Sequence, residues 1–234
     1  MTFRGSSHAH PNPSPTRITA WSFSRLKTWL QCPLKAKLLF IDKLKEPESQ
    51  AMADGQRIHK LAEDYLNHAF DTVPEELHSF GEDYKALRQA GGLLVEHPLA
   101  FKEDLTLCDW FAKDAWLRVR FDAFVLDKEN RHACVIDLKT GKVRKEDEEQ
   151  LSLFALAVFL AYPEIDEVQT ELWYINHGHP AAQSYKRSHL DSLKTKWFGK
   201  AEQMLHDEQF LPTPSPLCRW CAWRKSNGGP CQYE

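Results

Sequence analysis

Two runs of strand-forming residues, Leu117 to Leu126 and Ala133 to Thr140, flank the polar segment Asp127-Lys128-Glu129-Asn130-Arg131-His132. A polar turn between two such runs reads as a β-hairpin, and a hairpin fixes which side chains face one another. With the turn centred between Glu129 and Asn130, Asp122 lies opposite Asp137 and Arg120 opposite Lys139, so both carboxylates share one face. The other face collects Phe121, Ala123, Val125, Ile136 and Leu138 and suits a covering helix. Opposed carboxylates repel unless a cation lies between them. Oxygen donors of this kind suit Mg²⁺ or Mn²⁺. Lys139, two residues after Asp137, points to the same side, where an ammonium can hold an attacking water or neutralise charge on a phosphate. That is chemistry for phosphodiester cleavage. The tripeptide Asp-x-Lys carries no such meaning alone, since Asp83-Tyr84-Lys85 repeats it in a segment of helical spacing. The strand context and the opposing Asp122 supply it.

Around the hairpin the chain alternates helices and strands. Ser22 or Ser24 can cap a helix whose apolar side is Leu26, Trp29 and Leu30, and Pro33 interrupts it directly after Cys32. Met52 to Phe70 places Ile58, Leu61, Ala62, Tyr65, Leu66 and Ala69 at helical spacing, with His59 and Glu63 one turn apart beside that stripe. Residues 75 to 90 read as helix, Gly91-Gly92 breaks the chain, and Leu93 to Glu96 begins a strand. A helix from about Glu146 to Leu160, a strand from Val168 to Asn176 and a helix from about His189 to Glu208 follow. The order predicts an α/β fold, a mixed sheet flanked by helices.

The composition agrees: 234 residues at 42% hydrophobic and 27% charged form a core and exclude a disordered chain. The longest mostly apolar stretch, Leu151 to Ala161, falls short of the ~20 residues of a membrane span. With 30 basic against 33 acidic residues, the net charge of −3 argues against a protein that coats nucleic acid. It leaves room for a local basic track, and Lys139, Lys142, Arg144 and Lys145 fall within seven residues. Residues 1–19 are expected to be a flexible tail: Met1 to Arg17 lacks the apolar region of a signal peptide, which predicts a cytoplasmic protein.

The six cysteines are bunched. Cys218-x-x-Cys221, followed after nine intervening residues by Cys231, supplies three thiolates. The candidates for a fourth are Cys32, Cys108 and Cys134. Cys134 falls on the apolar hairpin face, where a buried thiol needs no function. Cys32, at a helix junction beside Pro33, is placed to approach another segment. Four thiolates hold either a tetrahedral Zn²⁺ or a [4Fe–4S] cluster. Either would tie the N-terminal helix to a Pro-rich segment, residues 212–234, that has too little apolar content to fold alone. Trp220, Trp223, Arg219, Arg224 and Lys225 surround these thiolates in sequence, either shielding the site or meeting nucleic acid.

Taken in order, these pieces resemble the RecB-type branch of the PD-(D/E)XK nuclease superfamily, which includes CRISPR-associated exonucleases with a cysteine cluster. Ser22-Phe23-Ser24-Arg25-Leu26 and Cys32-Pro33 match its opening pattern, and Gly55-Gln56-Arg57-Ile58-His59 is similar to its Gly-x-x-x-His helix. Phe121-Asp122 and Val135-Ile136-Asp137-Leu138-Lys139-Thr140-Gly141 resemble its paired metal-binding strands. Gln150-Leu151 matches the start of its Gln-x-x-x-Tyr motif, with Phe154 where Tyr is usual, and the C-terminal cysteines complete the likeness over residues 20–234.

The resemblance implies one nuclease domain over 20–234 with a restriction-endonuclease-like core. It implies that His59, Asp122, Asp137 and the backbone carbonyl of Leu138 ligate one or two divalent ions, that Lys139 is the catalytic lysine, and that Gln150 orients Lys139 or the substrate phosphate. Phe154 would forfeit any hydrogen bond the family's Tyr makes to DNA. Glu96 resembles an upstream acidic residue of some relatives and otherwise reads as a rim charge. By the same resemblance Cys32, Cys218, Cys221 and Cys231 hold an iron–sulfur cluster, with zinc as the alternative. The expected function is a metal-dependent DNA exonuclease acting on single strands or DNA ends in recombination, repair or replication. The alternatives are a structure-specific or CRISPR spacer-processing endonuclease and a non-cleaving DNA-binding subunit. A homo-oligomer and protein partners in recombination or replication stay open.

Overall fold

The computed structural model describes residues 16–234, so most of the expected N-terminal tail lies outside the described residues. Six helices, α1 (Phe23–Gln31), α2 (Pro33–Phe40), α3 (Gln50–Leu66), α4 (Gly81–Gln89), α5 (Lys145–Ala161) and α6 (Leu190–Leu205), surround one sheet. Its strands are β1 (Leu93–Phe101), β2 (Leu107–Cys108), β3 (Leu117–Asp127), β4 (His132–Lys139), β5 (Glu167–Tyr174) and β6 (His179–Lys186). They lie in the order β2-β1-β3-β4-β5-β6, antiparallel except for β4 and β5, which run parallel because α5 crosses over between them. Among the described residues no helix is long and apolar enough to cross a membrane.

Local chemistry sets the first two helices. Ser22 caps α1, its Oγ accepting from the Arg25 N–H at 3.3 Å. Cys32 then leaves the helix with extended backbone, and Pro33 starts α2 at the one position where a missing N–H costs nothing. Helix α3 ends at Leu66 rather than running on to Phe70: His68 takes a left-handed φ of 64°, and the turn closes with the Ala69 N–H on the Asp64 carbonyl.

Two apolar clusters sandwich the sheet. The larger joins Leu117, Val119, Phe121, Ala133 and Val135 to helices α1, α2, α5 and α6. Helix α5 is buried continuously from Leu151 to Phe159, as a helix apolar on all sides must be. The one polar residue in that stretch, Ser152, is satisfied by Lys196 Nζ and Trp197 Nε1, both donating to its Oγ. The smaller cluster packs Ile58, Tyr65, Leu77 and Tyr84 of the α3–α4 region on Ala123, Ile136, Leu138 and Trp173.

The β3–β4 register is the one the turn dictates, with Asp127 opposite His132 and Ala123 opposite Ile136. The simple division into faces does not hold. Phe121 packs in the larger cluster and Ala123 in the smaller, so the alternation slips at Asp122. Glu96, the β1 residue level with Asp122, has a left-handed φ of 49° and drops out of the β1–β3 ladder. The slip sits where the strand leaves regular pairing, and it frees Asp122 for other partners.

Candidate active site

Beyond Ala123 the ladder to β4 stops, and a side chain replaces the backbone acceptor: Asp122 Oδ2 accepts from the Leu138 N–H at 2.6 Å. Its other oxygen, Oδ1, lies 3.3 Å from His59 Nδ1. His59 reaches it from α3, one turn after Gly55, where an added Cβ would sit 3.1 Å from Thr140 Oγ1. The missing side chain at Gly55 lets α3 lie against the end of β4 and aims His59 at Asp122. Glu96 completes a group with His59 and Asp122, one ligand atom from each lying within 4.8 Å of the others.

Asp137 and Lys139 form a second group beside it. Lys139 Nζ lies 2.5 Å from Asp137 Oδ2 and donates to Gln150 Oε1 at 2.8 Å, while Gln150 Nε2 donates to Asp137 Oδ1 at 3.3 Å. Gln150, on the second turn of α5, thereby holds both partners. Asp137 is 7% exposed, and its Oδ2 makes no hydrogen bond of normal geometry despite the nearby ammonium. That oxygen is met by the Lys139 ammonium alone, the opposite charge a buried carboxylate requires.

The electrostatics point the same way. Burial raises the pKa of Asp137, and the charge of Asp122 adds to it, against the opposing pull of Lys139. Glu96 is likewise raised, by burial first and then by Asp122. His59 and Lys139 resist burial and are nevertheless shifted upward, His59 mainly by its hydrogen bond to Asp122 and Lys139 mainly by the charge of Asp137. Carboxylates that hold on to protons and bases that hold on to charge mark a crowded negative site, short of a cation. One imidazole nitrogen and a set of carboxylate oxygens fit a hard divalent ion such as Mg²⁺ or Mn²⁺.

Glu96 is the site residue that sequence reasoning undervalued. Its backbone conformation, invisible in a strand-like run, turns its carboxylate to Asp122. Tyr84, whose buried hydroxyl has no partner, lines the same small cavity as His59, Glu96 and Asp122. Phe154 is 1% exposed and meets Phe121 edge-on at 5.3 Å, so it packs in the core while underlying the groove beside Lys139 and Gln150.

A groove of about 560 Å³ opens beside Lys139 and Gln150, lined by Arg25, Lys27, Arg118 and Arg120. The expected basic track is divided: Lys139 lines this groove, whereas Arg144 and Lys145 line an adjoining one with α6 that shares Phe23 and Lys27. The alternation of Arg118 and Arg120 ahead of Asp122 was the available signal for the true lining.

None of the six cysteines forms a disulfide, and Cys32, Cys218, Cys221 and Cys231 line one cavity. Cys108 and Cys134 lie apart from it, and burial pushes the Cys134 thiol up to about 12. No three of the four cavity thiols approach within 4.8 Å of one another. A tetrahedral Zn²⁺ at ~2.3 Å from each sulfur requires sulfur separations of about 3.8 Å. The aromatic neighbours divide: Trp223 is buried and Trp220 is 75% exposed.

No protein of curated function matches the sequence. Among solved structures, the chain is similar to a protein from Eubacterium rectale provisionally named an exonuclease, at 12% identity and a TM-score of 0.53, covering 87% of each chain. A second, SSO0001, aligns at 14% identity over 97% of this chain and 91% of its own, with a TM-score of 0.40. The sequence pattern of the PD-(D/E)XK nuclease superfamily matches residues 20–226, nearly the whole described chain. With a mixed sheet flanked by helices, and with Asp122, Asp137 and Lys139 gathered at its centre, the chain belongs to the PD-(D/E)XK nuclease superfamily.

Proposed function

We propose that the protein is a metal-dependent deoxyribonuclease, an exonuclease that hydrolyses phosphodiester bonds of single-stranded DNA or DNA ends in recombination, repair or replication. The observation that carries this reading is the contact of Lys139 with both Asp137 and Gln150, beside the His59, Glu96 and Asp122 group and at the floor of a cationic groove. His59, Asp122 and Asp137, with Glu96 and the Leu138 carbonyl, are the residues that would hold Mg²⁺ or Mn²⁺. Such an ion, when bound, lowers the pKa of water and offsets charge on the phosphate.

The chain's own residues do the rest. Asp122 is held by the Leu138 N–H. Lys139, kept charged by Asp137 and aimed by Gln150, faces the groove and is positioned to neutralise the transition-state phosphate. Arg25, Lys27 and Arg120 are placed to meet the backbone of the strand, so binding is local and salt-sensitive although the chain is acidic overall.

Residues 20–234 form one nuclease domain in which residues 212–234 are stapled to Cys32 by a [4Fe–4S] cluster. The resemblance of the cysteine pattern favours a cluster over zinc, and the four thiols line one cavity. The cluster's part is structural, and hydrolysis needs no redox step.

The test is anaerobically purified protein with linear, end-labelled single-stranded DNA, with and without Mn²⁺, beside a circular single strand. Release of short products from the linear strand alone is the expected result. Cleavage of the circle makes the enzyme an endonuclease, and no cleavage of either makes it a binding subunit. A brown colour with bound iron supports the cluster, and stoichiometric zinc overturns it.

A further inference from the structure

We infer that the loop from Asp109 to Ala115 is a base-stacking lip on the groove, with Trp110 as the platform for an unpaired base, so that the groove prefers a single strand to a duplex. The inference rests on the reading of this groove as the path of the nucleic-acid substrate.

The groove combines the two features that bind single strands. Arg25, Lys27, Arg118, Arg120 and Lys139 line it against one carboxylate, Asp147, in a chain whose net charge is −3. That lining complements a phosphate backbone. Trp110 stands on the same wall with the Arg120 guanidinium 5.1 Å from its ring centroid. An indole and a guanidinium plane are both surfaces on which a base stacks, without regard to sequence.

The lip is rigid. Arg118 donates from Nε to the Trp110 carbonyl at 2.8 Å and from Nη2 to the Ala112 carbonyl at 3.3 Å. Asp109 Oδ1 accepts from the Phe111 N–H at 2.8 Å, and the Ala112 N–H closes the turn on the Asp109 carbonyl at 3.0 Å. The platform is therefore set before a strand arrives, and little ordering opposes binding. Arg118 is a positioning residue, acting through the loop.

Phe111, next to Trp110, is 85% exposed. Its ring contributes almost nothing to the folded state and is available to the next base outward. A duplex keeps its bases stacked on each other and presents only its terminal pair, whereas an unpaired strand presents every base face. The lip and Lys139 share one groove, so a strand held at Trp110 runs toward the candidate active site.

The experiment is a fluorescence-anisotropy titration of the full chain without divalent ions, using a labelled oligodeoxythymidylate and, separately, a blunt duplex. Trp110→Ala is expected to weaken single-strand binding about 10-fold or more, to change duplex binding by less than about twofold, and to be largely rescued by Trp110→Phe. Phe111→Ala, which removes a side chain the fold does not use, is expected to weaken single-strand binding about threefold. Unchanged single-strand affinity in Trp110→Ala, or equal losses on both substrates, overturns the lip. Because binding is measured without cleavage, an unaltered Trp110→Ala condemns the lip alone, while an inactive parent protein that still loses single-strand affinity in Trp110→Ala condemns the nuclease reading alone.

Discussion

The centre of the sheet and the C-terminal cysteine segment both gather residues from distant parts of the chain, and they do so by different means. At the centre, Asp137, Lys139 and Gln150 hold one another by hydrogen bonds and an ion pair, and Asp122 is held by the Leu138 N–H, all braced by an apolar cluster on each face of the sheet. In residues 212–234, Trp223 is the one buried hydrophobic side chain, and Leu217 and Trp220 are exposed. Local turns shape this segment, with the Cys221 N–H on the Cys218 carbonyl and the Cys231 N–H on the Trp223 carbonyl. Gly229 is forced by the same geometry, since a Cβ there would lie 2.2 Å from the Trp223 carbonyl oxygen. A site built into a core is pre-organised before its ion binds. A segment without a core would need a ligand at its cysteines to stay in place.

That contrast can be broken in four ways, taken from the largest expected effect to the smallest. Lys139→Ala should lower the cleavage rate by at least about 10²–10³-fold, the cost of losing a positioned charge at the transition state, while any metal at the cysteines stays at the parent level. Single-turnover assays with parallel metal analysis check both. Cys221→Ser should do the reverse to stability: loss of bound metal and a fall in Tm on the order of 10 °C, seen by calorimetry of the anaerobic protein.

Gln150→Leu removes the hydrogen bonds that aim Lys139 and Asp137, and should slow cleavage about 10–100-fold with substrate affinity nearly unchanged. Equal kcat in that variant would show that Lys139 needs no support from α5. Phe154→Tyr inserts a hydroxyl into a site that is 1% exposed, so it should cost about 1–3 kcal/mol in denaturant unfolding and raise neither cleavage nor DNA affinity. An activity gain would place residue 154 in the groove's chemistry instead of the core.

Much of this arrangement is legible in the sequence because its signals are local. The turn from Asp127 to His132 sets the β3–β4 register, and the alternation of Val135, Asp137 and Lys139 sets which residues of β4 share a face. Capping by Ser22 and the break at Pro33 likewise depend on near neighbours. Strand β6 is different: His179 to Lys186 is polar, contains Pro180, and becomes a strand only by pairing with β5. The slip at Asp122 also escapes sequence reading, because its cause lies partly in Glu96 on another strand. Glu96 and Arg118 gain their places through contacts between segments, and no local pattern records those.

The central claim is that Asp122 serves chemistry at a site the core has already built. The most direct measurement is cleavage of end-labelled single-stranded DNA by Asp122→Ala in Mn²⁺, with Tm and cysteine-bound metal determined on the same sample. The account predicts no cleavage above background, an unchanged metal content at the cysteines, and a fall in Tm of no more than about 10 °C from the unpaired Leu138 N–H. Cleavage at the parent rate in that variant would contradict it.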